Sequence, residues 1–114
     1  MITDLAFVVY PVTDIARSRA FYEQTLGLKV ADTFGPSWIE YEVGAATFAI
    51  TDNFGFTAPS SSVAFEVDDL DSQVASLKAA GVPFSGDIAD FPSCRMALIA
   101  DPDGSTICIH QRKP

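Results

Sequence analysis

The sequence predicts an α+β fold in which one supersecondary unit, a strand, a helix and three further strands, is used twice. Three observations predict it. Apolar runs with strand alternation are followed by stretches with helical spacing in the same order in both halves of the chain. Each helical stretch opens on an aspartate and closes on a glycine, Asp14 to Gly27 and Asp69 to Gly81. The breaks between the remaining strands are short and carry turn residues. A repeat on this scale means one unit duplicated.

The elements follow in order. The run Leu5 to Val12 reads as the first strand, and Thr13 and Asp14 are N-cap candidates for the helix "IARSRAFYEQTLG". Ile15, Tyr22 and Leu26 share a helical face with Phe21 alongside, and Gly27 suits a left-handed cap. Strands are expected over 28–33, 38–43 and 46–51, separated by "FGPS" and "GA". The second half opens with the strand "SVAFEV", residues 62–67. Asp68 and Asp69 are its cap candidates, and Leu70, Val74 and Leu77 lie at helical spacing in "LDSQVASLKAAG". A short strand near Val82 to Ser85, a strand from Arg95 to Ala100, the turn "DPDG" and a strand from Ser105 to Gln111 complete the order. In the turn, Pro102 presets φ and Gly104 tolerates positive φ. The expected boundaries are a first module over about 1–53, a linker over about 54–61 within the stretch "NFGFTAPSS", and a second module over about 62–114, together one domain.

Composition narrows the function. The chain has 114 residues, of which 48% are hydrophobic, so a real core is expected rather than disorder. Fifteen acidic residues face 7 basic ones, a net charge of −8. That balance argues against a nucleic-acid partner, because phosphate binding needs clustered Lys and Arg, and it leans toward cationic ligands. No apolar run approaches the length of a membrane span. The opening residues carry no basic segment and no small-residue cleavage site, so they read as a strand rather than a signal peptide, and the expected compartment is the cytoplasm. Cys94 and Cys108 fit free thiols there.

The stretches "VTDIARSRAFYEQTLGLKV", "VAFEVDDLDSQVASLKAAG" and "ADPDGSTICIHQ" resemble the vicinal oxygen chelate superfamily, which contains glyoxalase I, bleomycin-resistance proteins and extradiol dioxygenases. The pairing of "S-x-x-FY-x-x-x-LGL" with a late "DPDG" is the specific part of the likeness. The resemblance implies paired βαβββ modules forming a cup-shaped, partly open mixed β-barrel with helices outside, and a homodimer. It also implies four metal ligands in the cup, mostly His, Glu or Gln. Carried over by the anchoring motifs, those positions fall on Phe7, Ala49, Ser62 and Cys108. Phe and Ala have no donor atom, a serine hydroxyl is a poor ligand for Zn, Ni or Fe, and one thiol does not hold a catalytic ion. A one-residue slip turns each strand to its other face and offers no ligand set. No metal and no cofactor are therefore expected.

Strand alternation then assigns the cup-facing side chains. Phe7 brings Leu5 and Val9, Ala49 brings Thr47 and Thr51, Ser62 brings Ala64 and Glu66, and Cys108 brings Thr106 and His110. Trp38, Glu40 and Glu42 face the cup as well. Phe48, Ile50, Val63, Phe65, Ile107 and Ile109 turn to the helices. Arg95 has no assigned side, because "SCRMALIA" does not alternate cleanly. The candidate ligand-binding residues are Phe7, Trp38, Glu40, Glu42, Ala49, Ser62, Glu66, Arg95, Cys108 and His110. Each also has a plain packing role: Phe7 as a cup filler, Trp38 at the sheet rim, the carboxylates in solvent. Cys108 and His110 are two apart on one strand, roughly 7 Å, too far for a thiol and its base, so a buried inert thiol is expected.

The leading expectation is a metal-free protein of this superfamily that binds a small cationic or aromatic organic molecule, as resistance proteins that sequester a drug do. The alternative is a lyase, isomerase or dioxygenase-like enzyme of the superfamily with an atypical or relocated site, using Glu40, Glu66 or His110 as a base.

Overall fold

The computed structural model describes Met1, residues 7–53 and residues 63–114. The expected linker, Leu5 and Ser62 lie outside them. The chain forms two compact units, Met1–Ser60 and Ser61–Pro114, and each repeats the same order.

In the first unit, β1 (Val8–Pro11) leads into α1 (Ile15–Arg19), and β2 (Lys29–Thr33), β3 (Trp38–Val43) and β4 (Ala46–Thr51) follow. The sheet order is β1-β4-β3-β2. β1 runs parallel to β4, with Val9 opposite Ala49, and β3 runs antiparallel to it, with Glu40 opposite Ala49. The Asp14 carboxylate accepts from the Arg17 amide at 3.0 Å and starts the helix. Gly27, at φ 73°, ends that helical segment in the left-handed region that a side chain would strain.

The expected single helix is wider in its second half. Ala20–Thr25 wind as a π-helix, and Leu26 donates to the Phe21 carbonyl, five residues back, at 2.9 Å. Phe21 and Tyr22, successive aromatics in this wider turn, are both buried. Tyr22, Tyr10, Tyr41 and Phe48 are at most 2% exposed and form one ring cluster, with Tyr10–Phe48 and Tyr22–Phe48 centroids each 5.2 Å apart. A buried phenol must be satisfied. The Tyr41 hydroxyl donates to Glu23 Oε2 at 2.9 Å, and Arg19 Nε donates to the same carboxylate at 2.7 Å.

The second unit comprises β5 (Val63–Glu66), α2 (Leu70–Ala79), β6 (Ala89–Asp90), β7 (Cys94–Ala100) and β8 (Thr106–Arg112), in sheet order β5-β8-β7-β6. Asp69 caps α2 through the Ser72 amide at 3.1 Å. Leu70, Val74 and Leu77 are buried, as are Ala97, Ile99, Ile107 and Ile109, which register onto one face of the sheet. In the turn before β8, Asp101 Oδ1 accepts from the Asp103 and Ser105 amides at 3.0 and 2.8 Å.

One expected strand is displaced. Val82 to Ser85 makes only an isolated bridge, Phe84 opposite Ile99. Pro83 has no N–H to give the ladder, and the turn at Gly86, φ 80°, carries the chain on to pair at Ala89 and Asp90 instead. Both sheets are mixed and open, so the fold is α+β with the βαβββ order repeated.

Candidate functional site

Within each unit the helical segment lies against one face of the sheet, and the other face is the one on which chemistry can be displayed. The register settles which side chains lie there. In the first unit Phe48 and Ile50 are buried with Ile39 and Tyr41 on the helix side. Val9, Ala49, Glu40 and Trp38 therefore lie on the helix-free face, as alternation predicts.

Three of these expected residues are brought together. Phe7 and Trp38 meet edge to face, with centroids 5.4 Å apart and planes at 83°. Trp38 Nε1 donates to Glu40 Oε2 at 2.9 Å. Indole and carboxylate are two apart on β3, so they stand side by side on one face. Phe7 is 44% exposed, which leaves aromatic surface open beside a fixed carboxylate. Glu42 is exposed further along the strand, and Ala49 is fully buried with only a methyl to offer.

In the second unit Glu66 and His110 are opposite each other on β5 and β8. His110 Nδ1 lies 2.6 Å from Glu66 Oε1, and the Arg112 amide donates to Glu66 Oε2 at 2.7 Å. The Arg112 amide and His110 hold the Glu66 carboxyl below its usual range. His110 thus pairs with Glu66. Cys108, 7% exposed, has its Sγ 3.7 Å from Met96 Sδ. Burial, with a smaller effect from Cys94, pushes its thiol up, which suppresses the thiolate that a nucleophile needs.

Arg95 takes the helix side. It grips Asp71 on α2 through two parallel bonds of 3.0 and 2.9 Å. It is therefore away from the face that carries Glu66, Cys108 and His110. The same register puts Cys94, Met96 and Leu98 on that face with Cys108. None of the three was a sequence candidate, since β7 is apolar on both sides and offers no contrast. Gln111 was missed too: its side-chain amide bridges the start of α2, accepting from the Leu70 amide at 2.8 Å and donating to the Asp68 carbonyl at 3.0 Å.

Residues 4–109 match the profile of the Glyoxalase/Bleomycin resistance protein/Dioxygenase superfamily. The chain belongs to this superfamily. It is 32% identical over 97 residues to the anthracycline biosynthesis protein DauV of Streptomyces sp. (strain C5), a match covering 81% of the chain but spanning only 35% of that relative's length. Among solved structures it is similar to TnmS3, an antibiotic binding protein from Streptomyces sp. CB03234, with 28% identity, a TM-score of 0.83 and 98% of each chain covered. Lactoylglutathione lyase from Agrobacterium tumefaciens shares the fold, with a TM-score of 0.82 over 97% of this chain and 95% of that one, at 15% identity.

The superfamily's metal does not fit this donor set. Two of the carried-over positions, Phe7 and Ala49, have side chains with no lone pair, so at most the Cys108 thiol among the described three could ligate. Ser62 lies outside the described residues. Among the described residues no group of three or more His, Cys, Asp or Glu side chains is arranged to hold a metal ion. No helix among them is long and apolar enough to cross a membrane.

Proposed function

We propose that this chain is a small-molecule-binding protein that works without the superfamily's metal and holds a cationic or aromatic organic ligand. The observation that carries the reading is the Phe7–Trp38–Glu40 cluster, where open aromatic surface adjoins a carboxylate oriented by an indole N–H. A planar ring packs on such surface, and an attached ammonium is attracted both by the carboxylate and by ring faces. The likeness to an antibiotic binding protein supports the class of ligand, and the likeness to an anthracycline biosynthesis protein supports a polycyclic aromatic within it. Glu42 and Ala49 belong to the same proposed surface of the first unit, and Ser62, Glu66, Cys108 and His110 are separately proposed as ligand-binding residues of the second unit. The proposal includes a homodimer in the cytoplasm whose partner is a small organic molecule and neither nucleic acid nor membrane.

Trp38 is the single tryptophan of the chain and reports directly. Titration with an amine-bearing planar polycycle such as an anthracycline is expected to quench its emission saturably, with calorimetry giving the same affinity. Native mass spectrometry of freshly purified protein is expected to show a metal-free dimer that takes up the ligand mass. A stoichiometric divalent metal, or no saturable binding across a panel of cationic and neutral polycycles, would overturn the reading.

A second reading, an enzyme with a relocated site, draws on the Glu66–His110 pair. With the proton on Nδ1 facing Glu66, His110 Nε2 carries the lone pair of a general base. Turnover lost in His110→Gln with ligand affinity retained is the result that favours it.

A further inference from the structure

A second cleft lies outside the Phe7–Trp38–Glu40 surface and shares no residue with it. It has a volume of about 620 Å³ and is lined by Glu66, Val67, Asp68, Gln73, Gln111 and Arg112. Its origin is local. The Val67 amide still bonds to the His110 carbonyl at 2.8 Å, after which the chain turns through Asp68 into α2 while β8 continues to Arg112. The two paths diverge and leave the cleft.

Its floor is fixed. Both polar atoms of the Gln111 side chain are used, on the Leu70 amide and the Asp68 carbonyl. Both Glu66 oxygens are used, on His110 and on the Arg112 amide. Three side chains remain whose polar ends make no hydrogen bond to another described residue: the Asp68 carboxylate, the Gln73 carboxamide and the Arg112 guanidinium. Asp68 and Arg112 line one cleft with opposite charges, yet no ion pair joins them. Two opposite charges that do not pair with each other, beside a floor whose polar groups are already bonded, complement a ligand that carries one charge of each sign.

We propose that this cleft binds a small zwitterion with an ammonium close to a carboxylate, the α-amino-acid class. The ammonium sits at Asp68 and the carboxylate at Arg112, with Gln73 able to donate or accept between them. A simple anion is disfavoured by the net charge of −8 and by Glu66 next to Arg112. A simple cation leaves the guanidinium hydrogen-bond donors unused, since both oxygens of neighbouring Glu66 are already engaged by His110 and the Arg112 amide. The volume exceeds what the two charged groups need and leaves room for a side chain.

The test uses the full ¹⁵N-labelled chain and three probes: glycine, glycinamide, which lacks the carboxylate, and N-acetylglycine, which lacks the ammonium. Glycine is expected to shift the backbone amides of Asp68, Gln73, Gln111 and Arg112 saturably, with each half-analogue at least about tenfold weaker. Asp68→Asn is expected to erase the preference for glycine over N-acetylglycine, and Arg112→Gln the preference over glycinamide. Both positions are exposed, and an unchanged spectrum elsewhere reports intact folding. Equal binding of either half-analogue, or no saturable shift up to the solubility limit of glycine, overturns the proposal.

Discussion

Replacing Glu40 by glutamine removes one charge and almost nothing else. Glu40 accepts from Trp38 Nε1 at 2.9 Å, and a glutamine carbonyl oxygen can accept the same bond, so indole orientation and packing are kept. Only the Coulomb attraction to a bound ammonium is lost. At a separation of about 4 Å that attraction is about 1 kcal/mol in bulk water and about 4 at an effective dielectric constant near 20. Glu40 is half-buried and lies between those limits. Part of the gain is offset by stripping water from the ammonium. The expected loss is about 1–2 kcal/mol, or roughly five- to thirtyfold in Kd. The assay is a pair of calorimetric titrations, one with an amine-bearing planar polycycle and one with its neutral N-acetyl counterpart. The neutral ligand is expected to keep its affinity within about twofold. Raising the salt is expected to weaken the cation on the native chain and to leave the variant nearly unchanged, since the Debye length falls to about 8 Å at physiological ionic strength. Glu42→Gln, at the more exposed position, serves as the control with a smaller effect. An equal loss for both ligands would show that Glu40 acts by holding Trp38 rather than by charge. No loss for either would refute the placement of the ligand.

The buried polar groups give further expected outcomes. Tyr41→Phe removes a hydrogen bond to a charged carboxylate that keeps Arg19 as partner, so a loss of about 1–2 kcal/mol is expected in urea unfolding. Burial and then Glu23 push the Tyr41 hydroxyl above its ordinary 10.0. That contribution is therefore fully present below pH 10 and declines as pH rises above it. Arg19 holds the Glu23 carboxyl below 4.5, so its contribution is present above that pH and is lost as pH falls, and Glu23→Gln is expected to flatten the acid limb of a stability profile. Ser18 Oγ is buried without a hydrogen-bond partner among the described residues, and Ser18→Ala is expected to be neutral or to stabilise by up to about 1 kcal/mol. With its thiol buried and pushed up, Cys108 is expected to resist alkylation in the folded protein while the half-buried Cys94 reacts first, read by peptide mass after timed labelling.

Where the sequence contrasts one face with the other, its reading holds. "WIEYEV" alternates apolar with charged or indole side chains, and Ile39 and Tyr41 are buried while Trp38 and Glu40 share the helix-free face. "SCRMALIA" lacks that contrast, since Met96 and Leu98 are as apolar as Ala97 and Ile99. Only the packing of α2 separates them, and with them the side of Arg95. The π-helical turn has no periodic signal, since adjacent buried residues such as Phe21 and Tyr22 also fit a regular 3.6-residue repeat. β6 is two residues long, too short to alternate. Gln111 and Asp68 are polar residues 43 positions apart, so their bridge is visible only once β8 has returned beside α2.

The duplicated unit supplies its own control for locating function. The registers align β4 with β8 and β3 with β7, so that Ala49 matches Cys108, and Trp38, Glu40 and Glu42 match Met96, Leu98 and Ala100. On the helix side the matched pairs are Ile39 with Ala97, Tyr41 with Ile99, Phe48 with Ile107 and Ile50 with Ile109, apolar or aromatic in every case and all buried. A sheet face under a helix must exclude water, so both copies obey the same restriction. On the helix-free face the two copies part company. One carries an indole and two carboxylates, and the other carries a thioether, a leucine and a methyl, with its acid supplied from β5 as Glu66 and bonded to His110. The same backbone accepts both sets, so folding does not dictate either. Side chains that the fold leaves free and that nevertheless form specific bonds, Trp38 to Glu40 and His110 to Glu66, are where selection for a ligand has room to act, and they are the positions at which substitution should change binding more than stability.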